Sequence, residues 1–187
     1  GDRVYDKATN EYKISPGTKA LDSPVIEVIN EAVKRKTPIL GICNGFQILT
    51  KMGLLPGKLV LNENKTFTCK EVSCTVNAES IINYQTNLYI ANSYGCYHID
   101  SRGLKQLEEN NQIFLKYSKK VPEVGSVNNI AGVCNVDRTI FGMMPHPERN
   151  QNNFTPILKS IIFKHENQKY KIREKFTELM ESEHISK

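Results

Sequence analysis

The chain has 187 residues, 39% of them hydrophobic, with a formal net charge of +5. That length supports one sizeable core, and the composition excludes a disordered, collagenous or coiled-coil protein. No apolar run approaches the roughly 18 residues of a membrane span. The opening Gly1-Asp2-Arg3-Val4-Tyr5-Asp6 is unlike a signal peptide, so a soluble cytoplasmic protein is expected, with no membrane partner.

After a polar opening read as a loop, with a turn at Ser15-Pro16-Gly17, Ser23 and Pro24 occupy N-cap and first-turn positions of a helix. Val25, Ile26, Ile29, Ala32 and Val33 share one face of it, and Lys34-Arg35-Lys36 places positive charge at its C-terminus. Thr37-Pro38-Ile39-Leu40 reads as a short buried strand, and Phe46 to Met52 as a helix stopped by Gly53. Residues 23 to 52 thus form an α-β-α unit of an open α/β sheet. Pro56-Gly57 makes a turn. Further strands are expected at Phe67 to Val76, Leu88 to Ala91, Ile113 to Tyr117, Asn129 to Cys134 and Thr139 to Met144. A short helix over Leu104 to Glu109 interrupts them, and Phe154 to about Ser182 closes the chain as helix. Only one strand precedes Cys43, whereas a doubly wound sheet begins with a strand, a crossover helix and another strand. A β-α-β unit of roughly 30 residues or more is therefore expected to be missing from the start.

Three segments carry chemistry. Cys43 lies between Gly41 and Gly45 at a strand-to-helix junction, the setting of a nucleophile elbow with sulfur in place of oxygen. The glycines are expected to permit the turn, the helix N-terminus to favour the thiolate, and the backbone N–H of Asn44 to face a developing oxyanion. About a hundred residues later, Pro145-His146-Pro147-Glu148 follows the last strand at the sheet edge where α/β folds bind ligands. His146 would remove the thiol proton and protonate the leaving group, and Glu148, sharing its face of an extended segment, would hold the ring. Of the other histidines, His165 and His184 lie on a polar helix, and His98 would need a partner such as Cys134 to bind metal. The five cysteines, Cys43, Cys69, Cys74, Cys96 and Cys134, include no C-x-x-C pair, which argues for reduced thiols and against structural zinc. Basic and acidic residues alternate in 164–187 as on a solvated helix, and no basic patch with the interleaved aromatics of a nucleic-acid surface is present in the sequence.

Four blocks carry a family resemblance: Gly-Ile-Cys-Asn-Gly-Phe-Gln-Ile-Leu at 41–49, Gly-Leu-Leu-Pro-Gly at 53–57, Gly-Ser-Val-Asn-Asn-Ile-Ala-Gly-Val-Cys-Asn at 125–135, and Gly-Met-Met-Pro-His-Pro-Glu-Arg at 142–149. Together they resemble the class I glutamine amidotransferase subunit of phosphoribosylformylglycinamidine synthase, a purine-biosynthetic enzyme, over nearly the whole chain. The resemblance implies a flavodoxin-like α/β domain spanning 1–187, a three-layer sandwich with a mostly parallel sheet. It implies Cys43 as nucleophile, His146 as general base and acid, Glu148 as its orienting partner, and Gln47, Ser126, Val127 and Asn128 around the substrate L-glutamine. The implied partners are a formylglycinamidine ribonucleotide synthetase subunit, which would hold ATP and magnesium, and a small accessory subunit. This chain itself has no phosphate loop, since 53–57 lacks a Gly-Lys-Ser/Thr ending.

Two departures stand out. The family's His-Gly-Glu-Gly segment is here Asn92-Ser93-Tyr94-Gly95, so Asn92 takes the histidine's place on the pocket rim and Tyr94 the glutamate's. The Gly-rich loop that supplies the second oxyanion donor would lie before Gly1. A glutaminase of another synthetase, such as that of anthranilate or carbamoyl phosphate, and a regulatory subunit that has lost turnover remain as alternatives.

Overall fold

The computed structural model describes residues 3–6, 11–14, 18, 20–77 and 84–149. It opens with an antiparallel hairpin, β1 (Arg3–Asp6) and β2 (Glu11–Ile14), with Arg3 opposite Ile14. The loop expected there is therefore partly strand. Val4, Tyr5, Tyr12 and Ile14 are β-formers, but four-residue strands are too short for alternation to register. The turn expected at 15–17 and the helix expected over 154–182 lie outside the described residues.

Helix α1 (Val25–Lys34) starts one residue later than expected, with Pro24 and not Ser23 at its N-cap, and packs Ile29 and Val33 inward. Strand β3 (Ile39–Ile42) runs through Cys43 into α2 (Asn44–Lys51). Gly53 ends that helix at φ +71, a conformation that lets the Leu54 N–H return to the Leu49 carbonyl at 3.0 Å. Then come β4 (Lys58–Val60), β5 (Thr68–Val76), β6 (Tyr84–Asn92), β7 (Cys96–His98), α3 (Ser101–Glu109), β8 (Ile113–Tyr117), β9 (Ile130–Cys134) and β10 (Ile140–Met143). The Asp100 carboxylate caps α3 by accepting the Gly103 N–H at 2.7 Å. The short strands β4 and β7, absent from the sequence reading, pair with each other.

The main sheet has the order β3-β10-β9-β8-β5-β6. Only β3 and β10 run parallel, Ile39 opposite Ile140 and Ile42 opposite Met143; the remaining neighbours are antiparallel. The expected α/β fold is present, but a mostly parallel sheet is not what these residues form. Parallel neighbours need a crossover, and from β5 onward the chain doubles back between neighbouring strands instead.

All six strands feed one apolar cluster. Leu40 and Ile42 of β3 pack against a core that includes Met143 of β10, Leu115 of β8, Cys74 of β5 and Ile90 of β6. Outermost strands can share one core only if the sheet curls, and the backbone confirms it: the His146 N–H, just past β10, donates to the Tyr89 carbonyl of β6 at 2.7 Å. The opposite face is covered by α1, α2 and α3, through Phe46, Leu49 and Leu107 on Ile113, Val133 and Ile140. The described helices thus form one layer.

Close packing of α2 on the sheet requires a missing side chain at Gly142, where a Cβ would overlap the fully buried Phe46 ring and come 2.6 Å from Leu55 Cδ1. Gly142→Ala is expected to destabilise the protein by about 1–3 kcal/mol, read as a lower urea midpoint with unchanged slope.

Candidate active site

Cys43 adopts φ 51 and ψ −104, left-handed backbone in a residue with a side chain. Such a conformation stores roughly 1–3 kcal/mol and persists only where its surroundings impose it. Here the Cys43 N–H is tied to the Met143 carbonyl at 2.8 Å, and its own carbonyl accepts the Gln47 N–H at 3.1 Å, which starts α2. The flanking glycines do not take the turn, as the sequence suggested; the cysteine does. Gly41 instead makes room, since a Cβ there would lie 2.6 Å from the Gly45 carbonyl carbon and from Leu49 Cδ1, whereas a Cβ on Gly45 would meet nothing within 4 Å.

The half-buried Cys43 thiol donates weakly to the Ala91 carbonyl at 3.9 Å. Burial pushes its pKa above the ordinary thiol value. The Asn44 backbone N–H and the Arg149 charge oppose that rise, and Glu148 adds to it. The expectation that the helix N-terminus would favour a thiolate is thus outweighed by desolvation in this state.

His146 Nδ1 lies 2.6 Å from Glu148 Oε1. The contact arises because Pro147–Arg149 form a 3-10 turn that swings the carboxylate back to the ring, not because the segment is extended. With the Nδ1 hydrogen on the carboxylate, Nε2 carries the lone pair of the neutral ring. Among the described residues Nε2 is buried without a hydrogen-bond partner, and no bond joins it to Cys43 Sγ.

Cys43, Asn44, Gln47, Asn92, Tyr94 and His146 line a common cavity of about 470 Å³, in the size range of small-molecule sites. Gln47 is buried on α2 and donates from Nε2 to the Tyr94 carbonyl at 3.0 Å, which leaves its Oε1 buried and unpartnered. Both polar atoms of the Asn92 side chain are also buried without partners. Three elements that are remote in sequence therefore bring unsatisfied polar atoms to one cavity. Sequence reasoning did not find Phe67, which lines the cavity while 62% exposed, nor the accepting carbonyls of Tyr89, Ala91 and Tyr94. A peptide carbonyl leaves no mark in a sequence.

Ser126, Val127 and Asn128 are not brought to this cavity. The Ser126 hydroxyl accepts the Tyr97 N–H at 3.0 Å and donates to the Gly95 carbonyl at 3.3 Å. Val127 packs on the helix-covered core, and the exposed Asn128 donates to Glu108 Oε1 at 2.7 Å. His98 is exposed on β7, away from the cavity.

An elbow cysteine beside a carboxylate-held histidine in an α/β domain is the equipment of a thiol-dependent acyl-transfer enzyme. Residues 17–176 match the model of the CobB/CobQ-like glutamine amidotransferase domain. Over 152 residues the chain is 42% identical to phosphoribosylformylglycinamidine synthase subunit PurQ of Wolinella succinogenes, covering 78% of this chain and 68% of that protein. A chain in the structure of PurLQS from Thermotoga maritima superposes with a TM-score of 0.66 at 34% identity, covering 79% of this chain and 71% of that one. The chain belongs to the glutamine amidotransferase family, in the branch of the phosphoribosylformylglycinamidine synthase PurQ subunits.

Two outcomes follow from the geometry. Because only the thiolate is alkylated, iodoacetamide modification of Cys43 in the free protein is expected to climb from about pH 7 to beyond about pH 9 without levelling off. Peptide mapping at each pH checks this, and a plateau near neutrality would mean that the thiolate is already formed. Gln47→Glu removes the donor to the Tyr94 carbonyl and sets a carboxylate against it. The KM for glutamine should rise about tenfold or more in steady-state glutaminase assays.

Proposed function

We propose that this chain hydrolyses L-glutamine at Cys43 and passes the ammonia to a synthetase subunit that makes formylglycinamidine ribonucleotide for purine biosynthesis. The observation that carries the reading is His146, fixed through Nδ1 by Glu148, with Nε2 bare in the cavity that also holds the elbow cysteine. When glutamine enters, Nε2 takes the thiol proton and the sulfur attacks the side-chain amide carbon. The oxygen of that amide becomes an oxyanion, and the Asn44 N–H at the start of α2 is its donor. His146 returns the proton to the departing nitrogen, so ammonia leaves and a γ-glutamyl thioester remains. The same ring then deprotonates a water that attacks the thioester, releasing glutamate and restoring the thiol.

Gln47 Oε1, whose orientation is set by the Nε2 bond to Tyr94, accepts an N–H of the substrate, and Asn92 borders the same pocket. Ser126, Val127 and Asn128 reach glutamine only if the pocket extends beyond the cavity described. Ammonia that met bulk water would become unreactive ammonium, so its exit leads into the partner and not to solvent. ATP and magnesium belong to that synthetase, a small accessory subunit completes the assembly, and the location is the cytoplasm.

Cys43→Ala should abolish glutamine-dependent synthesis by the assembled complex and leave ammonia-dependent synthesis intact, since the synthetase site is elsewhere. Loss of both would contradict ammonia transfer. Glu148→Gln should lower glutamine-dependent kcat about 100-fold or more with little change in KM, because it disturbs the tautomer and not the pocket.

A further inference from the structure

The turn that walls the cavity, Asn92 to Gly95, connects β6 to β7, and one residue bonds three of its backbone groups. Asn62, 1% exposed and thirty residues upstream, donates from Nδ2 to the Asn92 carbonyl at 2.8 Å, while its Oδ1 accepts the Gly95 N–H at 2.8 Å. Its backbone N–H donates to the Ser93 carbonyl at 2.8 Å, and Nδ2 also reaches the Thr66 carbonyl at 3.2 Å. The turn is tight enough that a Cβ on Gly95 would overlap the Asn92 carboxamide, and the Ser126 hydroxyl holds the Gly95 carbonyl from the other side.

We propose that Asn62 is a positioning residue for substrate binding: by clamping both ends of the 92–95 turn it sets the Tyr94 carbonyl, which in turn orients the Gln47 side chain toward glutamine. The inference rests on the glutaminase reading. Among the described residues the Tyr94 carbonyl is the acceptor that holds Gln47 Nε2, so drift of the turn frees the side chain to rotate and lose its presented Oε1. The position needs a donor and an acceptor on one planar group. Aspartate cannot donate to the Asn92 carbonyl and would bury a charge beside it; leucine offers neither function. Asn62 touches neither the thiol nor the imidazole, so its influence falls on binding and not on bond making.

The test uses the full-length protein with its synthetase subunit, as wild type, Asn62→Asp and Asn62→Ser. The serine variant carries no charge and serves if the aspartate variant does not fold. Three readouts are taken: KM and kcat for glutamine, the rates at which a chloroketone glutamine analogue and iodoacetamide alkylate Cys43, and hydrogen exchange of the 92–95 segment. Expected are a KM raised about tenfold or more with kcat within a few fold, chloroketone labelling slowed about tenfold while iodoacetamide labelling stays within about twofold, and faster exchange in 92–95. Equal slowing of both reagents, or an unchanged KM in a folded variant, overturns the proposal. If the wild type itself resists the chloroketone at Cys43, the glutaminase reading fails. In that case the substrate-positioning role falls with the reading on which it rests, and unchanged protection of 92–95 refutes the clamp as well.

Discussion

The hydrogen bond from the His146 N–H to the Tyr89 carbonyl joins what would otherwise be opposite ends of a curled sheet. Strand β6 stands at one edge of the order and β3 at the other, yet at their tips the chain following β10 is stitched to β6. The weak thiol contact to Ala91 and the Gln47 contact to Tyr94 cross the same seam. Cys43, His146 and the pocket wall come from three parts of the chain, and closure of the sheet makes them neighbours. The curl itself is driven by burial: side chains from all six strands share one apolar cluster, and a flat sheet would leave much of it in water.

Strain at Cys43 is the local counterpart of that closure. A cysteine at φ 51 is held because the sheet fixes its N–H on Met143 and the helix begins at its carbonyl. Those two constraints leave little choice of backbone angle, and the side chain is thrown out of the sheet into the cavity. Close approach of α2, permitted by the absent side chains at Gly41 and Gly142, makes the arrangement rigid. The same burial that imposes the geometry keeps the thiol protonated at rest. Reactivity therefore waits on a proton acceptor, and the partnerless Nε2 of His146 is the group in the cavity suited to that task.

Much of this was legible in residue patterns. The β-rich stretches at β5, β8, β9 and β10 announce themselves through alternating or continuous apolar residues, and their observed ends fall within a residue or so of those read. The Gly-Ile-Cys-Asn-Gly elbow and the Pro-His-Pro-Glu segment mark Cys43, His146 and Glu148 as candidates, and the fold places Cys43 and His146 in one cavity with Glu148 on the imidazole. Strand direction was not legible, because side-chain alternation is the same in parallel and antiparallel sheets. β6 starts at Tyr84, four residues earlier than read, since the polar Gln85 and Asn87 face outward between buried Thr86 and Leu88. The short strands β4 and β7 carry too few residues for a period. Asn62 escaped notice because an asparagine between strands ordinarily marks a turn, and its partners are backbone groups thirty residues away.

The three hydrogen bonds described across the seam end on main-chain oxygens of Tyr89, Ala91 and Tyr94. Those oxygens exist whatever side chain the residue bears, provided the strand and turn keep their path. The side chains of this rim can therefore differ, tyrosine at 94 included, without moving the scaffold that faces the cysteine. Side-chain freedom on the outside of the rim and a fixed inner geometry are compatible because different atoms of the same residues serve them.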